Sequence, residues 1–99
     1  MEDKKIVVLI KISPKNGKEK EIEAELLNFV DQLKGDESCI KYQFHREADK
    51  KGNFLFYEIW KDKKAVAKHL ASDHIKNFWI NYNEDLAEPV EITFWEIIE

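Results

Sequence analysis

The chain switches between two hydrophobic periods. The run Ile6-Val7-Val8-Leu9-Ile10-Lys11-Ile12 is β-branched and apolar on both faces, which predicts a central strand covered on both sides. Ser13-Pro14 stops it. Ile22, Leu26, Phe29, Val30 and Leu33 then recur at helical spacing, the stripe of an amphipathic helix ending near Lys34-Gly35. Asn16, with Glu19 three residues later, reads as the capping box that starts this helix. Glu19, Glu21, Glu23, Glu25 and Asp31 form its solvated outer face.

Period two returns over 39–47, where Ile40, Tyr42, Phe44 and Arg46 alternate with Cys39, Lys41, Gln43, His45 and Glu47. Ala48-Asp49-Lys50-Lys51-Gly52-Asn53 reads as a polar hairpin turn. A third strand over 54–61 is bulky on both faces and is therefore expected to be central. Two short helices follow. The first turns Val66, His69 and Leu70 to one side; the second, capped by Ser72 or Asp73, carries Ile75, Phe78, Trp79 and Tyr82. After Pro89 a last strand is predicted over 90–98.

The order β-α-β-β-α-β is the split βαβ of an α+β, ferredoxin-like domain spanning 1–99. Right-handed crossovers put the helices on one face of a four-stranded antiparallel sheet. Val7, Leu9, Leu55, Tyr57, Ile59, Trp95 and Ile97 then share the opposite face. Such an apolar patch exceeds what monomers expose, so a homodimer joined sheet to sheet is expected.

Composition narrows the function classes. Twelve of the 99 residues are Phe, Trp or Tyr, a heavy load for one small core. Net charge is −4, and Arg46 is the single Arg among sixteen bases. That pattern argues against a nucleic-acid-binding surface. The lone Cys39 points to a reducing cytoplasm and reads as a small core residue rather than a nucleophile. No run approaches the ~20 apolar residues of a membrane span, and the charged N-terminus lacks the apolar region of a signal peptide.

Among His45, His69 and His74, the last two are five apart. That spacing is off the register placing two ligands on one helix face, so no metal site is expected. Glu58 is the informative residue. It interrupts an apolar strand face between Phe56 and Trp60, and a buried carboxylate needs a partner. His69 and His74 are the available partners, and periodicity leaves the choice between them open. A Glu–imidazole pair would fix the histidine tautomer, raise its basicity and make a general base; a hydrogen-bonded core histidine without catalytic duty is the plainer reading. Tyr42, Phe44, Phe56 and Trp60 from the sheet and Phe78, Trp79 and Tyr82 from the last helix either fill the core or line an apolar pocket suited to a flat aromatic ligand.

Phe56-Tyr57-Glu58-Ile59-Trp60, then Ala65, His69-Leu70-Ala71-Ser72-Asp73-His74 and Phe78, together with Cys39-Ile40-Lys41-Tyr42, resemble the antibiotic biosynthesis monooxygenase superfamily, which includes quinol monooxygenase-like proteins. The family's customary Pro-Gly before the Cys is here Glu37-Ser38. The resemblance implies a dimeric α+β barrel whose characterised members oxygenate electron-rich phenols or quinols with O₂ and no metal or flavin cofactor. It also implies His69 as base, Glu58 as its orienter, and Tyr42, Trp60, His74 and Phe78 in a substrate pocket, to which the alternation of the strands adds Phe44 and Phe56. Haem degradation fits poorly, because that branch of the superfamily uses an Asn in the first strand, where Val7-Val8-Leu9-Ile10 stands. A non-catalytic ligand-binding dimer and an isomerase of a small carbonyl metabolite are the alternatives on the same fold.

Overall fold

A computed structural model describes residues 4–49 and 52–99. Strands β1 (Ile6–Ile12), β2 (Cys39–Arg46), β3 (Phe54–Trp60) and β4 (Glu91–Glu96) form one antiparallel sheet in the order β2-β3-β1-β4. The two strands that are bulky on both faces, β1 and β3, are the central pair, as the sequence predicts. Helices α1 (Glu19–Lys34), α2 (Lys63–Leu70) and α3 (Asp73–Tyr82) complete the α+β, ferredoxin-like fold. The hairpin turn expected over 48–53 falls partly outside the described residues, which omit Lys50 and Lys51. Gly52 has φ +102°, and a Cβ there would stand 2.7 Å from Glu19 Cγ. Both facts demand glycine at that end of the turn.

The core lies between the sheet and the helices. Period two sends Ile6, Val8, Ile10 and Ile12 of β1, with Phe54, Phe56 and Trp60 of β3, to the helix side, where they pack with Ile22, Leu26, Phe29 and Leu33 of α1. Val66 of α2 and Phe78 of α3 close the same cluster. The opposite face carries Val7, Leu9, Tyr57 and Ile59, which are paired in register, and Trp95, which is 54% exposed.

Three local expectations fail for identifiable reasons. Asn16 does not cap α1: the N-cap is Lys18 without a side-chain bond, and the Glu19 carboxylate instead accepts the Gly17 N–H at 2.7 Å. Four buried stripe residues, each contributing roughly 2 kcal/mol, outweigh a missing cap of about 1 kcal/mol. Ile40 does not share a face with Tyr42, because the ladder shifts between Cys39 and Lys41. This bulge leaves Ile40 49% exposed and turns Cys39 towards the core. The last strand is shorter than 90–98, and a 3₁₀ turn over Asn83–Asp85 precedes it. That turn is tied down by backbone bonds from Lys15 N–H to Asp85 O and from Ala87 N–H to Ser13 O.

Candidate active site

Glu58 faces inward because it sits in phase with Phe56 and Trp60 on β3, and it is 2% exposed. Its register partners are Val8 on β1 and Tyr42 on β2. The carboxylate Oε1 accepts a hydrogen bond from Trp60 Nε1–H at 2.8 Å. His69 Nε2 stands 3.7 Å from the same oxygen. The imidazole also stacks on the Trp60 indole, with ring centroids 4.5 Å apart and planes 29° from parallel. Of the two candidate partners, the structure therefore brings His69 to Glu58.

Two caps aim the histidine. Asp62 Oδ1 accepts the Ala65 N–H at 2.8 Å and starts α2, so that Val66 and, one turn later, His69 face the sheet. Ser72 Oγ accepts the Ile75 N–H at 3.4 Å and starts α3. This capped break between two short helices swings Ile75 and Phe78 over the site.

Burial governs the charges. It pushes the Glu58 carboxyl up to about 7, with the Trp60 hydrogen bond opposing the rise. It pushes the His69 imidazole down; the Asp36 carboxylate works against that shift and His74 adds to it. The expected increase in imidazole basicity is thus reversed, because loss of solvent outweighs the nearby charges. The Glu58 carboxyl therefore titrates close to neutrality beside an imidazole whose charged form burial disfavours. Among the described residues, no buried side-chain N or O lacks a hydrogen-bond partner.

Beside the pair lies a cavity of about 60 Å³ between the sheet and the helices. Phe56 and Phe78 line it, and Glu58 and His69 are the ionisable groups that reach it. An apolar cavity of roughly 150 Å³ takes a benzene ring, so the cavity as it stands is smaller than a single aromatic ring. Trp79, 40% exposed, is part of its wall. His69 also borders a separate outer cleft with Asp36, Asp73 and His74.

The other anticipated residues are dispersed. Trp60 is fully buried behind Glu58 and His69. Tyr42 is half-buried on β2, and Phe44 stacks on Phe56 at 4.6 Å. His74 is exposed at the start of α3, and His45 lies on β2 with its Nδ1 3.2 Å from Leu55 O. The cavity walls also include Ile10 and Ile12 of β1 and Phe29 and Leu33 of α1. Their stripes mark them as core, and periodicity has no signal for a gap left between core residues. Among the described residues, no three His, Cys, Asp or Glu side chains gather as metal ligands.

Comparison with known proteins bears on the same residues. Positions 5–79 match the family described as antibiotic biosynthesis monooxygenase. The uncharacterized protein sll1783 of Synechocystis is 30% identical over 97 residues, covering 98% of this chain. The chain spans 66% of that relative, just under two thirds of its length. YcnE of Bacillus subtilis, which carries a provisional monooxygenase name, is 26% identical over 95% of this chain and 99% of its own. In fold, the structure of Rv0793 from Mycobacterium tuberculosis superposes with a TM-score of 0.87 at 21% identity, covering 96% of each chain. The structure of SO0527 from Shewanella oneidensis gives 0.88 at 22% identity, over 96% of this chain and 92% of that one.

Proposed function

The chain belongs to the antibiotic biosynthesis monooxygenase family, and on that premise we propose that it oxygenates a small electron-rich phenol or quinol with O₂. The observation that carries this reading is the pair Glu58–His69, two ionisable groups on one wall of an otherwise apolar cavity. A dihydroxyaromatic needs little from a protein beyond a base and exclusion of water. Once a hydroxyl proton is removed, the ring anion is itself a reductant of O₂. For a quinol the stoichiometry balances as quinol plus O₂ giving hydroxyquinone plus water. One oxygen atom enters the ring, the other leaves as water, and the ring supplies all four electrons.

In this reading His69 Nε2 takes the hydroxyl proton, because burial keeps the imidazole uncharged at neutral pH. Glu58 offsets the imidazolium so formed once its own proton has gone, which happens as pH rises through about 7. Phe56 and Phe78 flank the ring. The value of kcat/KM is then expected to rise across neutrality and level off above it. A Glu58→Gln variant, which cannot ionise, should show a lower, flatter profile. Oxygen uptake with simple hydroquinones, lost in His69→Ala, tests the assignment. Turnover that persists without O₂ would point instead to the isomerase chemistry possible on this fold.

The working unit in this proposal is a homodimer joined through the sheet face of Val7, Leu9, Tyr57, Ile59 and Trp95. That face is apolar and carries no helix, and an exposed Trp95 on it favours a covering partner. The compartment is taken to be the cytoplasm, where a lone thiol such as Cys39 stays reduced. Among the described residues, no helix is long and apolar enough to cross a membrane.

A further inference from the structure

We propose that Trp60 is a positioning residue for the Glu58–His69 pair rather than a wall of the substrate cavity: its Nε1–H holds the carboxylate while its ring face holds the imidazole. The proposal rests on the reading of that pair as the proton-handling groups, and it adds a residue with a separate duty. Three observations carry it. Trp60 has no exposed surface and does not border the cavity, although Glu58 and His69 both do. Its indole N–H donates to Glu58 Oε1 at 2.8 Å, the same oxygen that His69 Nε2 approaches at 3.7 Å. Its ring lies under the imidazole at 4.5 Å.

The geometry is a consequence of strand period two. Residues 58 and 60 emerge on the same face of β3, so the indole can fold back along the strand to the carboxylate two positions earlier. The indole N–H is a donor only. It therefore fixes Oε1 as an acceptor and leaves Oε2 as the oxygen able to carry a proton. The flat ring then restricts the imidazole to one tilt above the carboxylate. Neither phenylalanine nor tyrosine offers a donor at that position together with a face of that size. The groups facing His69 from the elements around it are Glu58 on β3, Asp36 after α1 and His74 on α3, and none of these would hold the ring if Trp60 were lost.

The test reads protonation directly and needs no substrate. In the unaltered full chain, the indole N–H resonance of Trp60, once assigned apart from Trp79 and Trp95, should titrate with a midpoint near that of Glu58. The titration should vanish in Glu58→Gln. In Trp60→Phe, where a ring remains to stack but the donor is gone, the Glu58 carboxyl midpoint should move upward by about one pH unit. The His69 ring signals should stay close to their original positions. A Trp60 indole signal that is invariant between about pH 5 and 9 in the unaltered protein would overturn the proposal, whether or not any variant folds. An unmoved Glu58 midpoint in a folded Trp60→Phe protein would do the same. If both titrations behave as expected and no oxygen is consumed with any electron-rich phenol, the monooxygenase reading fails while the positioning role of Trp60 stands.

Discussion

Glu58 shows how burying one ionisable side chain ties stability to pH. Its carboxyl is pushed up to about 7 from an ordinary 4.5, so the folded protein binds that proton more tightly than the unfolded chain does. Between those two values the folded state holds more protons. The associated stability is therefore complete below about pH 4.5 and declines as pH rises to 7. His69, depressed by burial, works in the opposite sense: its contribution grows as pH rises towards its ordinary value. Glu58→Gln removes the larger effect. Urea unfolding should then show the variant more stable than the parent at pH 8, by up to about 3 kcal/mol, with the gap narrowing towards pH 5. An unchanged difference at the two pH values would contradict the assignment. Cys39 gives a second check at this scale. Burial, with Glu58 and Asp36 nearby, raises its thiol to about 12, so alkylation at pH 8 should be slow in the native protein and rapid in urea. Glu58 was legible in the sequence because a carboxylate breaks an apolar strand face. The direction of the His69 shift was not, since it depends on how much solvent the fold removes.

Elements rather than single residues decide where the histidine points. Stripes and alternation located the four strands and three α-helices of the described residues, though not the 3₁₀ turn over Asn83–Asp85, because burying an apolar face is the dominant energy at that scale. They missed features set by single local contacts, such as the register shift that exposes Ile40 and the Glu19 carboxylate that accepts the Gly17 N–H. The caps that do form, Asp62 on α2 and Ser72 on α3, hold the break that frames the site. Asp62→Ala should cost about 1 kcal/mol in global stability. If His69 is the base of the proposed reaction, the variant should also lower kcat on a quinol more than it raises KM, since it loosens the imidazole and leaves the cavity walls intact. Equal stability by denaturant titration would mean that the Asp62 bond contributes little to α2.

At the scale of the whole molecule, the aromatic excess has three destinations rather than the two that alternation suggests, because Trp60, Tyr42 and Phe44 pack in or against the core and do not line the cavity. Phe29, Phe56, Phe78 and Trp79 surround the cavity, Tyr57 and Trp95 lie on the helix-free sheet face, and most of the remaining rings, Trp60 among them, pack in the core. Alternation marked out the far sheet face, whereas which inward rings line the cavity, and its small size, come from side-chain packing that no periodicity encodes. If the bare face joins two copies, Leu9→Asp should halve the sedimenting mass and leave the circular dichroism spectrum unchanged; an unaltered mass would exclude that face as the contact. The central claim, that Glu58 and His69 prepare an aromatic substrate for direct reaction with O₂, is tested most directly by isotope transfer. Incubation with a simple hydroquinone under ¹⁸O₂ should place one labelled atom in the hydroxyquinone product, at a rate that collapses in His69→Ala. Product without label, or labelled product formed equally fast by His69→Ala, would contradict the account.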